Sequence, residues 1–190
     1  GIPILQFEAE DELPDALGVC VEQEDQAFAD LTNHLQAARL ERLGVFAFNG
    51  QVPAESLLGR LKSAGLAASL LPLTFPDEVW AQGQEVVGFY AMRRLLAEGV
   101  KLPECIIFLD DHHARGALIA LHEARIDVPG SVQLVTTVNR GHVPPFPGGF
   151  TRIERDPVAL GHALAELTRH GLKLPRRRRR FTAPPAVSSS

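Results

Sequence analysis

The spacing of hydrophobic residues along the chain changes repeatedly between that of buried strands and that of amphipathic helices. Short continuous apolar runs predict strands at Ile2–Phe7, Leu17–Val21, Leu43–Phe48, Leu66–Phe75, Cys105–Leu109, Ser131–Val138 and Phe150–Ile153. Three- and four-residue spacing, with carboxylate or proline starts and glycine ends, predicts helices over Glu24–Ala38, Pro53–Ala64, Glu78–Glu98, Asp111–Ala124 and Asp156–His170. This alternation predicts an α/β fold with parallel sheets and helices on both faces.

The carboxyl ends of these strands are the expected place for a ligand, because parallel sheets bind ligands beyond that edge. In this sequence the ends fall at Phe7-Glu8, Phe48-Asn49, Phe75-Pro76, Leu109-Asp110-Asp111 and Val138-Asn139. Polar side chains stand at most of them, so we expect a binding site there.

Composition narrows the class of protein. The chain has 190 residues, of which 45% are hydrophobic and 22% charged, which excludes a disordered, collagen-like or coiled-coil protein. Its apolar runs are too short to span a bilayer. Cys20 and Cys105 fall in apolar, strand-like stretches and form no zinc or redox pattern, so we expect buried thiols in a reducing compartment.

Charge is distributed unevenly along the chain. The formal net charge is −4, yet five of the 19 basic residues stand together at Arg176–Arg180, so the rest is acidic and a poor nucleic-acid surface. The arginine run has two interpretations. It either binds DNA phosphates or forms a strand edge or solvated tail, and we favour the second.

The run Asp110-Asp111-His112-His113 contains four potential metal ligands. Neighbours at a helix start point about 100° apart, so a metal site would need ligands from elsewhere, and we expect no metal and no cofactor. The sequence shows no nucleophile elbow, phosphate-binding loop or dinucleotide fingerprint. We therefore expect a binding protein, with an enzyme on a flavodoxin-like sheet as a less favoured alternative.

Several stretches, in order, match one family pattern. Gly88-Phe89 is followed by the apolar strand and acidic pair of Pro103–Asp111, the small-residue helix Ala114–Ala124 and the strand Val128–Val135. This resembles the effector-binding half of the LacI/GalR family of transcriptional regulators, in which an apolar strand, Asn-Asp and an A-x-G-A helix recur. The resemblance covers nearly the whole chain through order and spacing rather than through one diagnostic motif.

The resemblance implies a type I periplasmic-binding-protein-like fold of two lobes. It assigns residues 1–22 to part of the N-terminal lobe and 23–152 to the C-terminal lobe. Residues 153–175 form a returning helix of the N-terminal lobe, and 176–190 the last strand and tail. It further implies a C-terminal fragment, with the helix-turn-helix headpiece outside this chain.

The function implied by the resemblance is that of an effector sensor in a cytoplasmic, homodimeric transcriptional regulator. A small carbohydrate-like effector would bind between the lobes, and the headpiece would contact operator DNA, with no membrane involved. Two alternatives stay open, a stand-alone periplasmic sugar-binding protein and the sensor of an AraC-type regulator.

The resemblance also suggests ligand-binding residues, which are Glu8, Asn49, Trp80, Asp110, Asn139 and Arg155. A carboxylate at Glu8 accepts sugar hydroxyls, and Trp80 offers a ring for the apolar face of a sugar. Asp110 would accept a ligand hydrogen bond while Asp111 caps the following helix. A structural role is the alternative for each: solvated acid, packed helix start, cap or surface loop.

Two departures from the family pattern bear on the ligand. Relatives carry an arginine soon after the Leu43–Phe48 strand, where this chain has Gly50–Pro53. A ligand-binding aspartate of the family is missing, since this chain has Thr136-Thr137-Val138 there. We therefore expect the pocket either to differ from those of the relatives in the ligand that it binds or to bind no ligand.

Overall fold

The computed structural model describes residues 4–7, 16–22, 24–48, 52–141, 150–171, 180–183 and 186–189. Strands and helices alternate through this part of the chain. The strands are β1 (Ile4–Phe7), β2 (Ala16–Glu22), β3 (Arg42–Ala47), β4 (Ala67–Pro72), β5 (Cys105–Phe108), β6 (Gln133–Asn139), β7 (Phe150–Arg155), β8 (Arg180–Ala183) and β9 (Ala186–Ser189). The helices are α1 (Glu24–Ala37), α2 (Val52–Ser63), α3 (Asp77–Trp80), α4 (Gln84–Ala97), α5 (Asp111–Glu123) and α6 (Pro157–Gly171).

Two sheets organise these elements. The larger has the strand order β4-β3-β5-β6-β7-β9, and its first five strands are parallel. Its last strand, β9, is antiparallel to β7. The smaller sheet is parallel, with the order β1-β2-β8. The predicted α/β class, parallel sheets with helices, is confirmed.

The larger sheet has a hydrophobic core on each face, because successive strand side chains point to opposite sides. On one face, Phe46, Ile106 and Leu134 pack with residues of α4 and α5. On the other, Val45 and Ile107 pack with residues of α1 and α2. Burial on both sides explains why these strands are continuous apolar runs in the sequence.

Cys105 lies at the start of β5 and is fully buried, as the sequence predicts. Burial raises the pKa of its thiol to about 12, so the thiol stays protonated near neutral pH. The side chain of Cys20 lies outside the described part of the chain.

The predicted long helix Glu78–Glu98 is wrong. The structure has the short α3 and then α4, separated by residues 81–83. Gly83 has φ 105°, which lies outside the helical region and is a conformation that favours glycine. One helix therefore ends before Gly83 and a new one begins after it. The break leaves Trp80 at the end of α3 rather than inside a long helix. The strand predicted over Leu66–Phe75 also ends earlier, at Pro72.

Helices α4 and α5 pack closely because glycines stand where they meet. A β-carbon at Gly88 would overlap the backbone of His113, and one at Gly116 would overlap the backbone of Glu85. The side chains of Arg115 and Glu85 form an ion pair across the same two helices. This packing fixes the start of α5 against the start of α4.

The smaller sheet is covered by α6, which packs against β2 and β8. Strand β7 pairs with β6 in the larger sheet along its whole length, as far as Arg155. It therefore extends three residues past 152, the predicted end of the C-terminal lobe. The last segment contributes one strand to each sheet, β8 to the smaller and β9 to the larger. The division into lobes stays a prediction. Among the described residues, no helix has the length and apolar character needed to cross a membrane.

Candidate functional site

Four of the six predicted ligand-binding residues lie among the described residues, and all four are at the carboxyl edge of the larger sheet. Trp80 is on α3, which follows β4, and Asp110 directly precedes α5. Asn139 and Arg155 are the last residues of the neighbouring strands β6 and β7. The two remaining predictions, Glu8 and Asn49, lie outside the described residues.

Four rings form what we call the aromatic cluster: Phe48, Phe75, Trp80 and His113. Phe48 is its centre, with ring centroids 6.0 Å from Phe75, 5.7 Å from Trp80 and 6.0 Å from His113, all edge-on. Phe75 and Trp80 are stacked, at 5.9 Å and 10° between ring planes. The loops after β3 and β4 and the first turn of α5 therefore converge on one patch.

Trp80 is the exposed member of the aromatic cluster. The residue is 51% exposed, whereas Phe48 and Phe75 are half-buried against the core beneath. An exposed indole supported from behind by two phenyl rings presents a flat apolar surface at the edge where ligands bind.

His113 is the buried polar member of the cluster, with 7% of the residue exposed. Its Nε2 lies 2.7 Å from Gln84 Oε1, and because that oxygen is an acceptor, Nε2 carries the proton and donates. Burial lowers the pKa of His113, and neighbouring His112 lowers it further while Asp110 opposes them. His113 is therefore a neutral donor near neutral pH.

Asp110 caps α5. Its backbone is extended, and its Oδ1 accepts hydrogen bonds from the backbone N–H groups of His112 at 2.8 Å and His113 at 3.3 Å. The prediction that Asp111 is the cap is wrong by one residue, since Asp111 is already helical. A carboxylate accepts several hydrogen bonds, so capping leaves Asp110 with capacity to accept one from a ligand.

Asn139 and Arg155 face each other in register at the ends of β6 and β7. The backbone N–H of Arg140 donates to the Arg155 carbonyl at 2.7 Å. The Arg140 guanidinium binds Asp156 at 2.6 Å and lies 3.7 Å from Glu154. These contacts fix the strand ends, and the exposed amide of Asn139 stands beside Arg155 at the predicted edge.

The segment Thr136-Thr137-Val138, where the resemblance leads one to expect a pattern that ends in a ligand-binding aspartate, has a structural role in this chain. Thr136 and Thr137 are buried, and Thr137 Oγ1 donates to the Leu109 carbonyl at 2.7 Å, which ties β6 to the end of β5. Val138, the next residue, is buried as well. Strand β6 therefore supplies no carboxylate at this point of the edge.

Three members of the site, Phe48, Phe75 and Gln84, are not predicted from the sequence, where His113 stands only as a potential metal ligand. The sequence does give an indication for the two phenylalanines, because each stands at the carboxyl end of a predicted strand, where a ligand site is expected. Among the described residues no three His, Cys, Asp or Glu side chains are grouped so as to hold a metal ion. The ring of His113 belongs to the aromatic cluster instead.

Comparison with known proteins identifies the family. Residues 32–188 match the family model described as periplasmic binding protein-like domain. Comparison with curated protein sequences finds no match.

Similar solved structures include three described as LacI-family regulators. One from Arthrobacter sp. FB24, in complex with lactose, has a TM-score of 0.79 at 18% identity, covering 98% of this chain and 70% of that one. One from Enterococcus faecium with bound ribose has a TM-score of 0.77 at 15% identity, covering 98% and 69%. A third, described as putative and from Sanguibacter keddieii DSM 10542, has a TM-score of 0.76 at 21% identity, covering 98% and 70%. The chain belongs to the family of periplasmic-binding-protein-like domains, with the fold that LacI-family transcriptional regulators share.

Proposed function

We propose that this chain is the effector-sensing part of a LacI-type transcriptional regulator and binds a small sugar-like molecule. The observation that carries the proposal is the aromatic cluster at the carboxyl edge of the larger sheet, with the half-exposed Trp80 at its surface and Asp110 beside His113. The similar regulators from Arthrobacter and Enterococcus faecium carry lactose and ribose.

The chemistry of the edge suits a sugar. Pyranose and furanose rings have apolar C–H faces that stack on an indole, and Trp80 presents such a ring. Sugar hydroxyls both donate and accept, and the edge supplies an acceptor at Asp110 and donors at Asn139 and Arg155. Glu8 and Asn49 complete the proposed ligand set, Glu8 after β1 of the smaller sheet and Asn49 after β3.

Ligand binding between two lobes gives such a domain its regulatory effect. An effector that binds one arrangement of the lobes more tightly shifts the equilibrium toward it, with a coupling of typically about 1–3 kcal/mol between sites. We propose that the regulator is a cytoplasmic homodimer and that a helix-turn-helix headpiece, encoded upstream of this segment, contacts operator DNA. A reading frame without such a headpiece but with an export signal would favour a transport protein instead.

Thermal unfolding with a panel of mono- and disaccharides tests the proposal. A sugar at about one hundred times its Kd stabilises the fold by about 2.7 kcal/mol, which raises Tm by about 5–10 °C for a chain of this size. Trp80→Ala should abolish this rise. Tyr90→Ala is the matched control, because Tyr90 is an exposed aromatic residue on α4 outside the aromatic cluster. Absence of a shift with every sugar, or equal shifts in both variants, would contradict the proposal.

A further inference from the structure

His113 is the place where three parts of the candidate site meet. It is the third residue of α5, its Nε2 binds Gln84 Oε1 at the start of α4, and its ring contacts Phe48 after β3. Its backbone N–H is held by the Asp110 cap, and its backbone also lies directly against Gly88. The imidazole is thus fixed on the side of α5 and can in turn fix what it touches.

Gln84 is well placed to pass this constraint to Trp80. It is the first residue of α4 and follows the short connection at residues 81–83 that joins α4 to α3. Gly83 precedes it with φ 105°, a backbone conformation that residues other than glycine rarely adopt. The joint is therefore not part of a continuous helix. Neither the N-cap of α3 nor that of α4 has a side-chain capping hydrogen bond. The His113–Gln84 bond is a side-chain tie between this joint and α5, in addition to the Arg115–Glu85 ion pair at the next residue of α4.

We propose that His113 is a positioning residue of the aromatic cluster, which fixes the start of α4 through Gln84 and the central ring of Phe48 through edge contact. His113 is buried, and Trp80 forms the exposed surface, so His113 acts through its neighbours rather than on the ligand. The consequence for ligand affinity rests on the proposed function. The consequence for the geometry of Trp80 does not.

The two partners of the tie have distinguishable substitutions. His113→Leu removes the donor and Gln84→Leu removes the acceptor, and each leaves an apolar side chain of similar size. His113→Gln keeps an N–H donor on a side chain of similar reach, so it should restore the bond to Gln84 but not the ring contact with Phe48. His112→Leu is the matched control, since His112 is the adjacent imidazole and is exposed.

Trp80 is the only tryptophan of the chain, so its fluorescence reports on the cluster without any ligand. Acrylamide quenching of Trp80 should increase in Gln84→Leu and at least as much in His113→Leu, which also loses the ring contact with Phe48, and the double variant should not exceed His113→Leu. The His112→Leu variant should match the original protein, and His113→Gln, which keeps the donor but not the ring, should be quenched less than His113→Leu. Far-UV circular dichroism checks the fold, and if His113→Leu does not fold, the Gln84→Leu variant decides alone.

Ligand affinity gives the second measurement. For a sugar that stabilises the original protein, Kd should rise up to about tenfold in Gln84→Leu, as expected for one lost, partly buried hydrogen bond, and should not change in His112→Leu. If no sugar binds, the proposed function fails while the quenching experiment still decides the role of His113. Folded His113→Leu or Gln84→Leu protein with unchanged Trp80 quenching overturns the inference.

Discussion

The rings of Phe75 and Trp80 lie nearly parallel, 10° apart in plane and 5.9 Å apart in centroid. The two residues come from the loop after β4 and from the end of α3, and their stacking fixes the direction in which the exposed indole faces. A ligand that stacks on Trp80 therefore meets a ring that is supported from behind.

Replacement of Phe75 by leucine should weaken sugar binding without unfolding the protein. Loss of the aromatic contact should lower the free energy of unfolding by about 1 kcal/mol and should raise Kd for the sugar about tenfold, because Trp80 loses its support. Phe89→Leu is the control, since Phe89 is a half-buried α4 residue in edge contact with Tyr90. Urea unfolding and calorimetric titration measure both quantities. Equal sugar affinity in the two variants would argue against a supporting role for Phe75.

Two substitutions of Asp110 should separate its capping role from its ligand role. Asp110→Asn keeps a side-chain oxygen for the N–H groups of His112 and His113, and asparagine caps helices as well as aspartate. We expect little change in stability but weaker sugar binding, because the charged acceptor is lost. Asp110→Ala should lower the free energy of unfolding by about 1 kcal/mol as well. Unchanged affinity in Asp110→Asn would leave Asp110 only its role as a cap.

The sequence contains most of the information on the larger sheet. Its strands are buried on both faces, and such strands are continuous apolar runs that stand out in any sequence, as at Cys105–Leu109 and Leu43–Phe48. The break between α3 and α4 is less visible, because Gln82-Gly83 lies within a helical spacing and only the positive φ of Gly83 ends the helix. A glycine inside such a pattern weakens a helix but does not locate its end.

The sequence indicates where the candidate site lies but not which side chains form it. Polar strand ends predict a site at the carboxyl edge of the sheet, where the structure has Trp80 and Asp110, and ligand binding there stays a prediction. The aromatic cluster depends on which loops approach one another, and no local pattern relates Phe48 to Phe75 and His113. The difference between the predicted and the observed cap has a local reason. Asp110 and Asp111 are both good capping residues, and only the extended backbone of Asp110 distinguishes them.

Helices α4 and α5 should be destabilised by any side chain added at the point where their backbones are in contact. Gly116→Ala should lower the free energy of unfolding by about 2 kcal/mol or more, because the new methyl group would overlap the Glu85 backbone and force α4 and α5 apart. Gly59→Ala is the control, since a β-carbon added there on α2 would meet no atom within 4 Å, and alanine should stabilise that helix by about 0.5–1 kcal/mol. Urea unfolding should give opposite signs for the two variants.

As the pH falls, the free energy of unfolding should decrease because of His113 at a higher pH than that at which the carboxylates become protonated. The pKa of His113 is lowered by burial in the folded protein, so between that value and the ordinary 6.5 the unfolded chain binds a proton that the folded chain does not. The stabilising contribution of neutral His113 is therefore complete above pH 6.5 and is lost as the pH falls below it.

The His113→Gln variant measures this contribution, because glutamine keeps the donor to Gln84 and does not titrate. Urea midpoints at pH 8, 7, 6 and 5 should fall more steeply in the original protein than in His113→Gln below about pH 6.5. The pKa of Glu104 is also lowered, by backbone N–H groups of Glu41 and Arg42, but its effect begins near 4.5 and is common to both proteins. Parallel pH profiles for the two proteins would show that His113 is not protonated preferentially on unfolding.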